Sequence, residues 1–216
     1  MILISHLHPD HVSDLPALLW LSNVARKDPL PLVGPDGNDS VPSVSTFLSR
    51  LFDGRQGGFP MLSATLGGSR STVPLEVTVV NPSRQGHSPV FDRNGITVSA
   101  MAVPHANVPS IAYRVRTGQG TVVFGSDQSG ENPHFAEFAS NADVLVMHLT
   151  IGAGETLRGH ASPALVGRVA AAAHARQLVL SHIGPFDLDR AVAEVRKHYG
   201  GPVVAGSDLQ CIAVRK

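Results

Sequence analysis

An α/β fold with mixed sheets is predicted for this chain of 216 residues. Three observations predict it. Strand-like apolar runs come first, and strand and helix signals then alternate toward the C-terminus. A hydrophobic content of 43% is enough to build a core, which excludes a mostly disordered chain. The 21 glycines and 16 prolines punctuate the elements with turns. No internal repeat, low-complexity segment or linker divides the chain, so residues 1–216 are read as a single domain.

Residues 1–5 read as the end of a buried strand, because a short apolar run contains two isoleucines. Residues 6–11 follow as a loop. A helix is expected over residues 13–25, with Ser13 as N-cap and Leu15, Leu18, Leu19 and Trp20 buried. Residues 29–33 are strand-like and close in the turn Gly34-Pro35-Asp36-Gly37. Val44, Phe47, Leu48 and Leu51 share one helical face over residues 43–52, and Ser43 suits the N-cap. Residues 53–71 show no period and read as a long loop. Strands are then expected over residues 75–80, 96–103, 111–115 and 121–124, with Arg93-Asn94-Gly95 and Thr117-Gly118-Gln119-Gly120 as hairpin turns. A buried strand over 143–148, an Ala-rich helix over 163–175, a strand over 177–181 and a helix over 188–199 follow. Short strands over 202–205 and 210–214 end the chain.

Charge and composition narrow the function classes. Lys+Arg and Asp+Glu both number 17, so there is no basic surplus for sequence-independent nucleic-acid or membrane binding. No apolar run is long enough for a transmembrane helix. The first residues carry no basic region before a short apolar run, so they are not read as a signal peptide. The single cysteine, Cys211, excludes an internal disulfide framework and a cysteine-cluster metal site. The cytoplasm is the expected compartment.

Histidine is the outlier, with eleven in the chain. His6-Leu7-His8-Pro9-Asp10-His11 concentrates imidazoles and a carboxylate in one short segment after an apolar strand. His6 and His8 point the same way if the backbone is extended, and Asp10 and His11 project differently once it turns. Such a segment can feed two neighbouring metal ions, and its donors suit zinc, iron or manganese. Further ligands are expected at strand ends distant in sequence, since loops at one sheet edge converge there. His105 follows the strand over 96–103, Asp127 follows that over 121–124, and His182 follows that over 177–181.

With these residues the chain resembles the metallo-β-lactamase superfamily, whose HxHxDH motif is matched by His6, His8, Asp10 and His11. His105, Asp127 and His182 match in order. The resemblance implies an αβ/βα four-layer sandwich of two mixed sheets flanked by helices. It implies that His6, His8 and His105 hold one divalent metal, Asp10, His11 and His182 a second, and that Asp127 bridges them. Two Zn2+ ions are expected, with Mn2+ or Fe2+ as alternatives. Members place several strands ahead of the HxHxDH motif, and this chain begins five residues before it. The expectation is a domain lacking its first N-terminal strands, less stable for that or driven to form a homodimer.

Within the superfamily the chain looks like the tRNA 3′-end-processing endonuclease (RNase Z) branch. The resemblance rests on residues 109–114 after His105, on Gly159-His160-Ala161-Ser162 ahead of a helix, and on residues 178–182. It implies a dinuclear phosphodiesterase using a metal-bound hydroxide, with Asp10 and His160 as catalytic residues and His160 acting near the scissile phosphate. The branch has His-Glu-Ala-Thr where this chain has His148-Leu149-Thr150, so a glutamate partner for His160 is absent there; Glu155 lies in the same loop. The expected substrate is a small molecule or a phosphodiester. A nucleic acid stays open, unsupported by charge, and no membrane partner is expected. The alternatives are hydrolysis of a carboxylic ester, lactone, thioester or β-lactam, and a non-catalytic metal-binding protein. His148 reads either as support for the site or as simple packing.

Overall fold

A computed structural model describes residues 1–23, 28–67 and 72–214. It divides into two compact units, Met1–Asn81 and Pro82–Lys216. No helix among the described residues is long and apolar enough to cross a membrane.

The first unit is built on three strands, β1 (Ile2–Leu3), β2 (Leu30–Pro35) and β3 (Leu75–Val80), in the order β1-β2-β3. Both pairings are parallel, with Ile2 opposite Leu32 and Leu30 opposite Leu75. This sheet is therefore parallel throughout and not mixed as expected. Each strand returns through a helical connection, which is what a parallel pairing requires. The connections are α1 (Pro9–Val12) and α2 (Leu15–Ser22) before β2, then α3 (Val44–Leu51) and a 3₁₀ helix (Pro60–Thr65) before β3. Ser43 caps α3, its side chain accepting from the Thr46 N–H at 3.2 Å. Ile4, Leu15, Leu19, Leu32, Leu48, Phe52 and Leu62 share the core.

Several expectations change here. The helix expected from Ser13 starts at Leu15, and Ser13 is instead the C-cap of a separate short helix before it, α1. The last part of that expected helix, residues 24–27, lies outside the described residues. Trp20 and Leu18 are 55% and 50% exposed, so neither is core. The segment Leu15–Ser22 is apolar on nearly every side, so its period does not single out an inner face. The segment read as a loop over 53–71 contains the 3₁₀ helix; its residues 68–71 lie outside the described residues.

The second unit is a seven-stranded mixed sheet in the order β10-β9-β8-β7-β6-β5-β4. Its strands are β4 (Ser88–Arg93), β5 (Ile96–Val103), β6 (Ser110–Thr117), β7 (Gly120–Phe124), β8 (Val144–His148), β9 (Leu178–Ser181) and β10 (Val203–Ala205). The pairs from β4 to β7 are antiparallel and those from β7 to β10 are parallel. Helices α4 (Phe135–Phe138), α5 (Pro163–Ala172) and α6 (Leu188–Arg196) complete it. Met101, Val123, Leu145, Met147 and Leu180 from the strands pack with Phe135, Phe138, Val166 and Val195 from the helices. Strand β4 was not foreseen. It is an edge strand carrying Pro89 and a register shift between Pro89 and Phe91, which hides its alternation. Residues 210–214 form no strand; the Gln210 side chain instead accepts from the Ser207 N–H at 3.1 Å.

This topology positions the chemistry of the second unit. Strands β7, β8 and β9 are parallel, so their C-terminal ends meet one sheet edge. Two antiparallel steps bring the C-terminal end of β5 to that same edge, where Val103 lies opposite Ser110. His105, Asp127, His148 and His182 all sit at or just past these strand ends.

Candidate metal centre

In the first unit, β1 delivers the chain directly to the histidine motif. Ile4 N–H donates to the Val33 carbonyl at 2.8 Å, prolonging the pairing to the residue before Ser5. His8 remains extended as the N-cap of α1, and Pro9 opens the helix. The motif is thus half extended segment and half helical turn, not a loop throughout.

His6 is fully buried. Its Nε2 lies 3.1 Å from His8 Nδ1, and its Nδ1 lies 3.1 Å from Ser5 Oγ. The His6 ring centroid is 4.7 Å from that of His8 and 4.0 Å from that of His11. His11 Nε2 is 3.5 Å from Asp10 Oδ2. The His8 and His11 rings on either side of His6, with a carboxylate beside His11, form a donor set that suits a borderline divalent cation.

In the second unit, His105 is buried and donates from Nδ1 to the Gly159 carbonyl at 2.9 Å. A carbonyl only accepts, so Nδ1 carries the hydrogen and Nε2 keeps its lone pair. Ligand atoms of His105, Asp127 and His160 lie within 4.8 Å of one another. Asp127 is buried, and its Oδ2 is 3.5 Å from His182 Nε2. A buried carboxylate among imidazoles is a donor set that fits a divalent metal.

The loops that carry these residues are tightly formed. Ala106, Ser126 and His182 all have left-handed φ values, +49°, +60° and +50°. Non-glycine residues seldom adopt this region, and here each is a candidate ligand or the neighbour of one. Gly159 has φ +84°, and a Cβ there would lie 2.9 Å from Ala106 N and 3.0 Å from His105 Nδ1. Only glycine brings its carbonyl this close to His105. Ser110 Oγ lies 2.8 Å from Ser126 Oγ and donates to the Asp127 carbonyl at 3.0 Å, tying the start of β6 to the Asp127 loop.

Each residue expected from the sequence therefore lies in one of two clusters, one per unit. His6, His8, Asp10 and His11 gather in the first. His105, Asp127, His160 and His182 gather in the second. His160 joins the second more closely than expected, its ring centroid 4.9 Å from that of His105 and 5.4 Å from that of His148. Sequence reasoning undervalued His148, whose Nδ1 lies 3.1 Å from the Ser126 carbonyl while Nε2 faces the Ala161 N–H at 3.1 Å. Burial pushes its pKa down to about 4, so it is neutral near pH 7. Its place at the end of a buried strand was the available signal.

A cavity of about 580 Å³ opens beside His160 within the second unit. Arg158, Glu131 and Glu155 line it together with apolar side chains such as Leu157 and Leu165. Glu131 accepts from the Ser129 hydroxyl at 3.0 Å, and Glu155 accepts from the Gly152 N–H at 2.8 Å. Glu155 thus lines the same cavity as His160, while Leu149, at the place of the branch's glutamate, is buried in the core.

Comparison with known proteins agrees with this geometry. Residues 1–183 match the family model described as a beta-lactamase superfamily domain. The ribonuclease Z of Mycobacterium bovis is 27% identical over 233 aligned positions, covering 99% of this chain and 79% of that protein. The metallo-β-lactamase fold protein YhfI from Bacillus subtilis superposes with a TM-score of 0.69 at 24% identity, over 94% of this chain and 72% of that one. A diphosphatase from the PhnP family superposes with a TM-score of 0.61 at 16% identity, over 100% of this chain and 72% of that one. At these identities the two structural likenesses are likenesses of fold.

Proposed function

The chain belongs to the metallo-β-lactamase superfamily, and from that premise we propose that it is a dinuclear metal-dependent phosphodiesterase. The observation that carries this reading is the cluster of His105, Asp127 and His160, with the His105 tautomer set by the Gly159 carbonyl. In this reading His6, His8, Asp10 and His11 of the first unit and His105, Asp127 and His182 of the second would be the metal ligands. Zinc suits these nitrogen and oxygen donors, with manganese or iron as alternatives. Bound divalent cations lower the pKa of a water toward neutrality and offset negative charge on the substrate. Asp10, exposed in the first turn of α1, orients the incoming water. His160 gives a proton to the leaving oxygen.

Two features favour a phosphodiester over a neutral ester. The Mycobacterium relative is named a ribonuclease, an enzyme class that cleaves phosphodiesters. Arg158, which makes no hydrogen bond or ion pair among the described residues, lines the cavity with His160, whereas both carboxylates there are engaged by donors of the chain itself. An uncommitted guanidinium recognises phosphate oxygens well. The apolar wall of the same cavity is what a lactone or ester hydrolase would use instead.

The test combines metal content by mass spectrometry with turnover of bis(4-nitrophenyl) phosphate and a panel of lactones and nitrophenyl esters. We expect two equivalents of metal and turnover of the diester. Asp10→Ala should keep the circular dichroism spectrum and lose about 10²–10⁴-fold in kcat. Lactone turnover without diester turnover would overturn the substrate class. Absence of metal uptake together with absence of turnover would overturn the enzyme reading.

A further inference from the structure

His148 is the one imidazole at the chemical edge of the second unit's sheet that the proposed reaction does not use. It ends β8, the strand between β7 and β9, and is 2% exposed. Its Nδ1 lies 3.1 Å from the Ser126 carbonyl, which can only accept, so Nδ1 carries the hydrogen. Its Nε2 then accepts, at 3.1 Å, from the Ala161 N–H. That N–H is shared, since it also points at the Gln128 carbonyl at 2.8 Å. Both ring nitrogens are therefore occupied. His148 in this arrangement has neither a lone pair for a metal nor a proton to pass on.

What it touches gives it a different use. Ser126 directly precedes Asp127, and Ala161 directly follows His160. One rigid ring thus joins the backbone of the Asp127 loop to the backbone of the His160 loop. The shared Ala161 N–H closes the ring of contacts through Gln128, the residue after Asp127. The His148 ring also meets that of His160 edge-on, with an interplanar angle of 65°. Ser126 sits at φ +60°, a conformation a serine keeps only when its surroundings hold it there.

We propose that His148 is a positioning residue: a neutral imidazole in the Nδ1–H tautomer that sets the spacing between Asp127 and His160 and is itself neither ligand nor proton carrier. The proposal rests on the reading that Asp127 holds metal and His160 serves the leaving group. It predicts that the two halves of the bridge can be separated by substitution. In His148→Asn the side-chain amide takes the place of Nδ1 and can still donate to Ser126. In His148→Gln the side-chain carbonyl takes the place of Nε2 and can still accept from Ala161.

The experiment measures zinc affinity by chelator competition, and kcat and KM for bis(4-nitrophenyl) phosphate across pH, in wild type, His148→Ala, His148→Asn and His148→Gln. Outer partners of metal sites typically control about 10- to 100-fold in affinity or activity. We expect a loss of that size in both zinc affinity and kcat for His148→Ala, with KM unchanged. His148→Asn should recover zinc affinity more than kcat, and all variants should keep the wild-type ionisations in their pH profiles. Should His148→Ala fail to fold, the Asn and Gln variants carry the test. Wild-type zinc affinity and kcat in His148→Ala would overturn the proposal, as would loss of an ionisation from the pH profile of any variant. A wild-type protein that neither binds zinc nor turns over the diester would instead overturn the functional reading on which the proposal stands.

Discussion

Gly159→Ala probes how the backbone prepares the second cluster. Gly159 combines a left-handed φ of +84° with a carbonyl that accepts from His105 Nδ1 at 2.9 Å. An alanine there meets two separate penalties. The left-handed backbone costs about 1–2 kcal/mol for any residue with a Cβ. The new methyl would also lie 2.9 Å from Ala106 N and 3.0 Å from His105 Nδ1, and backbone cannot swing aside as a flexible side chain does. Relief comes by moving the carbonyl off His105, and loosening a buried hydrogen bond costs about 1–3 kcal/mol more. The expected total is about 2–5 kcal/mol. Gly154 provides the control in the same loop. Its φ is +88°, but nothing lies within 4 Å of a Cβ built there, so Gly154→Ala carries the backbone penalty alone. Urea denaturation of both metal-free variants should separate them by about 2 kcal/mol. Nitrogen NMR should show the His105 tautomer blurred only in Gly159→Ala. Stabilities within about 0.5 kcal/mol of each other would refute the role given to the Gly159 carbonyl.

Other outcomes follow from the same structure. In metal-free protein the His148 contribution is silent above about pH 6.5, where the ring is neutral both folded and unfolded. As pH falls from the ordinary value of 6.5 toward the folded value of about 4, the unfolded chain takes up a proton that burial denies the folded one. Up to about 3 kcal/mol of stability is lost across that window, and the pH–stability curve of His148→Gln should lack this fall; parallel curves would contradict it. Arg158→Gln should raise KM for an anionic diester about 10-fold or more while leaving a neutral nitrophenyl ester unchanged; equal effects on both substrates would remove Arg158 from anion recognition. Leu19→Ala, at a fully buried position of α2, should cost about 2–5 kcal/mol. Trp20→Ala, one residue on and mostly exposed, should stay within about 0.5 kcal/mol of wild type by thermal or urea unfolding.

Much of the chemistry was legible in the sequence because it depends on residue type and on adjacency along the chain. His6, His8, Asp10 and His11 are neighbours, so their convergence needs only one short change of backbone, from extended to helical at Pro9. His105, Asp127 and His182 each follow an apolar run, and strands that share an edge must bring their ends together there. The N-cap of α3 was legible for the same local reason, since Ser43 bonds within its own helix.

Tertiary structure decided whatever depends on which face is covered and on which distant backbone lies opposite. Trp20 and Leu18 belong to a helix whose sequence is apolar on nearly every side, so only packing could assign its inner face. Strand β4 exists because β5 offers it an edge, despite Pro89. His148 reads as an ordinary core histidine until the Ser126 carbonyl and the Ala161 N–H are seen at its two nitrogens. The positive φ of Gly159 becomes meaningful only when His105, more than fifty positions earlier, is found against its carbonyl. Sequence alone determined the family and most strand and helix identities and singled out the candidate donors, because these are written in residue type and local period. The tautomers, the bridge through His148 and the uncommitted guanidinium of Arg158 were decided by the fold, because hydrogen bonds between segments distant in the chain exist only once those segments are packed together.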